Sequence, residues 1–466
     1  MMINKKNILL IDRSEDMLES VAACEHIHIA ILIVESEKQK KPIRDKYPHI
    51  GTIYTMDEAQ APNPAPLNYE NMEIYRATQL KVEHCLWRFT NSYSHIQYIY
   101  YNALSFWLDL FGNTTIEAVL VSEIELGTPY ISIPIDIAKK RKISAFLFDP
   151  ILNNGIDLLA KGVNFYNKNE YIDLSVADGS APIITIDDFL FRSIAHKIDP
   201  KYILKDKLKA FAFTPWGMLL LTVLSLLTDK FTVSLNGFKV KWIELLSNTL
   251  FLNKMSKYYN LLSIAPTQKE KFVFYAMHFE PEASIMVRTP LGNQISIIKM
   301  ISDALPKGWK LYVKEHPHQF GLANETRWYQ LKNIFFFRNK EFYQELKKIK
   351  NVELIPLSTP SKALIENAEC IASINGTVAI EGIKYKKPVM LFGHLSTPIG
   401  YCEDIFKITN TSDVHNSIKR MIDGFNPEYT DFTTVTERFL FKQTLNGKIE
   451  LSPAFWKYLI TQEIDK

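Results

Sequence analysis

The residue types that bind anions and carry protons gather in a few short stretches of the C-terminal half. One covers residues 370–393, CIASINGTVAIEGIKYKKPVMLFG, where Ser373, Asn375, Gly376 and Thr377 precede Glu381. The Asn375-Gly376 pair predicts a tight turn that tolerates positive φ. Thr377 then opens a helix, and the first N–H groups of a helix have no intrahelical partners and suit a phosphate. Ser373 and Thr377 add hydroxyls beside that position. Glu381 follows one turn later on the same helix face, where a carboxylate accepts two hydrogen bonds from a ribose diol. The pattern predicts a nucleotide site, with phosphate at 375–377 and ribose at Glu381. An ordinary strand–helix–strand crossover with a glycine turn carries the same signature.

A second stretch, residues 305–321, LPKGWKLYVKEHPHQFG, ends an apolar run in Lys314-Glu315-His316-Pro317-His318. Lys314 and His316 suit phosphate binding, and Pro317 restricts the backbone of His316. Taken singly they also read as a solvated charge and an ordinary loop histidine. A third stretch, residues 271–287, runs through FVFYAM into His278, Glu280, Glu282 and Ser284.

These clusters need elements to position them. Residues 272–277, 309–313 and 370–374 are short apolar runs, the pattern of buried parallel strands. In open α/β sheets, ligands bind outside the carboxyl ends of the strands, which is where all three clusters fall. Pro388 stops the helix after Thr377, and Lys384, Lys386 and Lys387 near its end suit the helix dipole. A further strand, NVELIPL, leads to Ser361, which reads as a helix cap and alternatively as a hydroxyl near the base or phosphate.

HFEPEAS, LPKGWKLYVKEHP, NVELIPL and SINGTVAIEGIKYKKPVMLFG together resemble the bacterial capsule and surface-polysaccharide biosynthesis family, which includes retaining β-Kdo transferases. The resemblance covers about 150 residues, with the motifs in the family's order, and is weak before residue 260. It implies a GT-B glycosyltransferase: α/β, two Rossmann-like domains with parallel sheets and a cleft between them. It also implies that His316 and Pro317, which resemble the His-Pro motif of bacterial sialyltransferases too, bind the phosphate of a CMP-sugar. Ser373, Gly376, Thr377 and Glu381 match the family's hydroxyl-glycine turn and following carboxylate. Glu282 stands nearest the family's catalytic acid, with Glu in place of Asp and without the preceding Gln.

The 466 residues are 47% apolar and 23% charged, an ordinary globular composition with room for two cores. The net charge of +3 is too small to suggest nucleic acid as a partner. Cys24, Cys85, Cys370 and Cys402 show no zinc or CxxC spacing, which suits a reducing cytoplasm. The start is polar and its first apolar run, ILLI, has a strand's length, so no signal peptide is expected.

Runs at 7–12, 28–35, 116–123 and around ISAFLFDP alternate with helical stretches, which argues for a parallel sheet. The aromatic-rich stretch 71–112 has helical period and reads as core. The expected division is an acceptor domain over 1–265, carrying a helical insertion at about 150–260, and a nucleotide-sugar domain over 266–425. Helices over 426–466 are expected to pack back across the boundary. VNFYNKNEYIDL and GSAPIITIDDFLFRSIAHKI are expected as loop and helix within the insertion. Glu123 and Glu125 rank below Glu282 as candidate bases.

Residues 210–228 form an apolar run preceded by Lys201, Lys205, Lys207 and Lys209. A buried interdomain helix is the first reading, ahead of a membrane-surface element and a true span. The second would suit a lipid-linked acceptor and a peripheral position at the inner face of the cytoplasmic membrane.

The reaction expected is transfer of a sugar from a nucleotide donor, CMP-linked and of Kdo or sialic-acid type, to a growing capsule or surface glycan. Glu282 and His316 are the catalytic candidates. Lys314, His316, Pro317, Ser373, Asn375, Gly376, Thr377 and Glu381 are the donor-binding ones. No cofactor is expected, and no metal, since no DxD or similar carboxylate spacing occurs. The alternatives are a UDP-sugar transferase or epimerase of the same fold, and a non-catalytic assembly factor of the capsule machinery.

Overall fold

The computed structural model describes residues 5–60, 67–90, 92–122, 127–153, 159–175, 186, 211–212, 214–228, 232–235, 238–267, 270–282, 285, 289, 291–320, 334–443 and 451–459. The chain forms two compact units. The first comprises Met1–Leu86, Ser92–Asp188 and Phe432–Lys466; the second comprises Trp87–Asn91 and Phe189–Asp431.

The first unit holds an α/β sheet of eight strands. β1 (Lys6–Ile11), β2 (Ile27–Val34), β3 (Thr52–Thr55), β4 (Ala118–Val121) and β5 (Ser144–Asn153) run parallel in the order β5-β4-β1-β2-β3. Such strands need cover on both faces, and Ile8 through Ile11 are accordingly all buried. Asp12, buried at the end of β1, accepts N–H groups from Asp16, Met17 and Leu18 and ties down the next turn. The aromatic stripe of the Tyr93–Asn113 helix is core, with Tyr100 and Trp107 fully buried. Glu123 and Glu125 lie outside the described residues.

VNFYNKNEYIDL is not the loop and helix expected. β6 (Leu159–Phe165) pairs antiparallel with β5, and β7 (Glu170–Tyr171) pairs antiparallel with β6. Val163 and Phe165 alternate into the core, and Asn169 takes the turn at φ 58°. The chain returns to this unit at its end, where β16 (Phe441–Gln443) pairs antiparallel with β6. Trp456 is fully buried against Phe148, and its indole N–H donates to Ser20 Oγ at 2.8 Å.

The second unit contains a hairpin, β8 (Thr232–Leu235) and β9 (Phe238–Lys241), and a six-stranded sheet that is parallel throughout. Its strands are β10 (Phe272–Ala276), β11 (Lys310–Lys314), β12 (Val352–Ile355), β13 (Cys370–Ser373), β14 (Val389–Leu391) and β15 (Ile405–Lys407). They lie in the order β12-β11-β10-β13-β14-β15, the 3-2-1-4-5-6 order of a doubly wound fold. The order reverses between β10 and β13, and the crevice at such a switch point is where these sheets bind ligands. Gly382 lets the Thr377–Lys384 helix approach the sheet: a Cβ there would lie 2.9 Å from Val389 Cγ2 and 3.1 Å from Ile371 Cγ1.

The Trp242–Leu262 helix, expected within the N-terminal domain, belongs to the second unit. Leu245, Leu252, Met255 and Tyr259 share its core, and the Tyr259 hydroxyl donates to the Ile355 carbonyl at 2.7 Å. The apolar run 210–228 contributes a helix, Pro215–Leu227, that is not the buried element expected, because much of its leucine face is exposed. No helix among the described residues is long and apolar enough to cross a membrane.

Candidate functional site

The exits of β10, β11 and β13 lie side by side. Ala276 pairs with Lys314, and Tyr275 pairs with Ala372, so Lys314, Ala276 and Ser373 stand at one level across three strands. Beyond that level β10 continues into Met277–Glu280, β11 into Glu315 and His316, and β13 into Ile374–Gly376.

His278 and the Asn375-Gly376 turn meet across the switch point. His278 is buried, and its Nε2 accepts the Asn375 N–H at 3.3 Å and lies 3.3 Å from Ser373 Oγ. Ser373 Oγ accepts the Gly376 N–H at 3.1 Å, which leaves its own proton for His278 Nε2. Nε2 as a double acceptor assigns the ring proton to Nδ1. Burial lowers the His278 pKa to about 4, so the ring is neutral at pH 7. The turn therefore differs from expectation. Gly376 has φ −78°, not a positive value, and two N–H groups expected for phosphate are engaged by protein. Glycine fits closely for a different reason: a Cβ at 376 would lie 3.1 Å from Ser373 Oγ and 3.2 Å from His278 Cε1, and both would have to give way. Thr377 and Val378, next in the helix, have N–H groups without a protein acceptor among the described residues, and Thr377 is exposed.

Lys314 and Glu381 reach the same region from opposite sides of the switch point. Lys314 is buried and donates through Nζ to Ser361 Oγ at 3.0 Å. Burial lowers its pKa, and the half-buried Glu381 acts in the opposite sense. Ser361 is therefore not a cap; it begins its own helix and accepts from Lys314. His316 is half-buried, with its ring edge-on to Phe279 at 6.2 Å, and Pro317 opens the short 3-10 turn Pro317–Phe320. Glu282 is half-buried two residues beyond Glu280, and the neighbouring Ala283 and Ser284 lie outside the described residues.

A buried network holds these exits in place. The fully buried Arg338 guanidinium lies between two carboxylates, donating through Nε to Glu315 Oε2 at 2.8 Å and through Nη1 to Glu280 Oε2. Its Nη2 also donates to the His278 carbonyl at 3.2 Å. Burial opposes the charge on Arg338, but Glu315 and Glu280 outweigh it and raise its pKa. Glu315 accepts the Tyr343 hydroxyl at 2.8 Å and, through its other oxygen, the His316 N–H at 2.9 Å. Gln294 accepts the His278 N–H at 2.8 Å and donates to the His278 carbonyl and to Glu280. Gln319 exchanges two hydrogen bonds with the Glu280 backbone. Glu280 and Glu315 are thus framework groups, and buried paired charges of this kind fix geometry more than they add stability.

The sequence clusters thus converge, with His278 as an additional member. Glu315 was visible inside KEHPH as a carboxylate in a strand exit. Nothing in the sequence ties Arg338 or Gln294 to it. Among the described residues no group of three or more His, Cys, Asp or Glu is arranged to hold a metal ion.

No protein-family model and no curated protein sequence matches the chain. Solved structures of low similarity do span it. One is UDP-GlcNAc 2-epimerase from Neisseria meningitidis bound to UDP-GlcNAc, 13% identical over 99% of this chain and 100% of that one, with a TM-score of 0.24. Another is Thermosulfurimonas dismutans KpsC, a beta Kdo 2,7 transferase, 10% identical over 87% of this chain and 97% of that one, with a TM-score of 0.29. A third is alpha,alpha-trehalose 6-phosphate synthase from Burkholderia multivorans, 9% identical over 99% of this chain and 96% of that one, with a TM-score of 0.27. At such scores the likeness alone assigns no activity.

Proposed function

We propose that the protein is a GT-B-type glycosyltransferase that moves a sugar from a nucleotide-activated donor, CMP-linked and of Kdo or sialic-acid type, to a growing capsule or surface glycan. The observation that carries this reading is the meeting of His278, the Ser373–Gly376 turn, Lys314 and Glu381 at the switch point of a 3-2-1-4-5-6 sheet.

In this reading the donor phosphate lies over the start of the Thr377–Lys384 helix, taking N–H groups of Thr377 and Val378. Lys314 and His316 add positive charge or donors, and Glu381 accepts the ribose hydroxyls. As the bond from the anomeric carbon to the phosphate oxygen breaks, these groups stabilise the charge left on the phosphate. Glu282 takes the proton of the acceptor hydroxyl as that oxygen bonds to the anomeric carbon, or attacks the anomeric carbon itself. The charge-compensating groups are all protein groups, so turnover should persist in EDTA. A lipid-linked acceptor would put the enzyme at the inner face of the cytoplasmic membrane.

A UDP-sugar transferase or epimerase is the second reading. It is favoured by one feature: the helix start and Lys314 provide two separate sets of donors, enough for two phosphates.

Calorimetric titration of CMP, UDP and GDP into wild type and His316→Ala tests the assignment. Preferential CMP binding that is lost in the variant is the expected result. Preference for UDP promotes the second reading. Failure of all three nucleotides to bind overturns both and favours a non-catalytic assembly factor.

A further inference from the structure

The Pro215–Leu227 helix is built inside out. Its polar side chains face inward, where Thr222 and Ser225 are buried and donate to the Met218 and Thr222 carbonyls at 2.8 and 2.7 Å. That side packs on the Trp242–Leu262 helix, where Thr222 Oγ1 also reaches the Trp242 carbonyl at 3.4 Å. The opposite side carries Trp216 and Leu227, 75% and 76% exposed, with Leu220, Val223, Leu224 and Leu226 between them. No charged residue interrupts this face. A continuous exposed apolar face of this kind marks a surface that something covers.

The surrounding charge identifies the cover. Residues 201–241 hold seven lysines and two aspartates, net +5 in a chain whose total is +3, so the rest of the chain is net −2. An apolar helix face with an exposed Trp at one end, set in a lysine-rich stretch of the sequence, suits the headgroup layer of an anionic bilayer. A second copy of the chain fits less well, because a symmetric contact would bring together two copies of a stretch that is net positive. The helix is 13 residues long, about 20 Å, too short to cross a bilayer. We propose that it lies in the surface of an anionic membrane, with its leucines among the upper acyl chains and the flanking lysines at lipid phosphates.

The test is co-sedimentation of the full chain with vesicles of phosphatidylcholine and phosphatidylglycerol, against vesicles of phosphatidylcholine alone. Binding to the anionic vesicles that weakens in high salt is expected. Leu224→Glu with Leu227→Glu should lower that binding by about tenfold or more. Both positions are exposed, so the thermal melt should be unchanged, and Trp216→Ser provides an independent variant. Wild type that does not bind, or binding that the Leu→Glu pair leaves unchanged, overturns the proposal. Light scattering then tells which cover is present: a concentration-dependent dimer broken by the pair means a second copy, and a monomer means another segment of the same chain. The assay uses no nucleotide, so its failure leaves the donor-site reading untouched, and the converse holds.

Discussion

His278 Nε2 lies 3.3 Å from both the Asn375 backbone nitrogen and the Ser373 hydroxyl oxygen. A neutral imidazole thus joins two strand exits that are 97 residues apart in the chain. Its neutrality is set by burial, and its orientation is set by Gln294 and Arg338 bonding its backbone.

Acid should therefore loosen this junction. The folded-state pKa of His278 is about 4, below the ordinary 6.5. Between these values the unfolded chain holds the proton and the folded chain does not, so stability rises with pH across the window and falls as pH drops toward 4. The contribution is about 3 kcal/mol. Urea unfolding of wild type and His278→Gln from pH 4 to 7 measures it. The variant should show the flatter profile, and parallel profiles would sink the assignment.

Gly376→Ala should damage the site more than the fold. Its Cβ would press on Ser373 Oγ at 3.1 Å and on the His278 ring at 3.2 Å, moving the junction by a few tenths of an ångström. A stability loss of about 1–2 kcal/mol is expected. Nucleotide affinity should fall by about tenfold or more, because the helix start that receives phosphate is displaced. Thermal melts and calorimetry read the two effects separately.

Arg338→Met should cost about 3–5 kcal/mol, because Glu315 and Glu280 lose the cation between them. Adding Glu315→Gln should restore part of that loss, since one uncompensated buried carboxylate is removed. Denaturant midpoints for the two singles and the double decide it. Strictly additive losses would show that the three groups do not act as a unit.

Much of the second unit was legible because its signals are local. The run 370–373, the turn and the helix from Thr377 follow from apolar pattern, Gly and Pro388, and the structure has them there. The strand before Lys314 followed from similar cues. What the sequence withheld depends on distant partners. Ser361 looked like a cap until Lys314 was seen to reach it. The Asn375 and Gly376 N–H groups looked available until His278 Nε2 was seen to take the first and Ser373 Oγ the second. No local pattern marks Arg338, and only the fold brings it between Glu315 and Glu280. The run 210–228 looked fit for burial because composition does not say which face of a helix turns inward.

The antiparallel pairing of β16 with β6 bears on how the polypeptide matures. The strand that completes the first sheet lies at 441–443, beyond the whole second unit, and Trp456 fills the layer over Phe148. During synthesis the second unit has all its residues before the first does, so the N-terminal half closes last. Until then the stretch of β6 that β16 covers, Leu159 to Lys161, is open to foreign strands. A chain cut after Asp431 should keep a cooperative melt for the second unit, yet aggregate through the first. A cut chain that stays monomeric, with both melts intact, would remove the tail from the folding of the first unit.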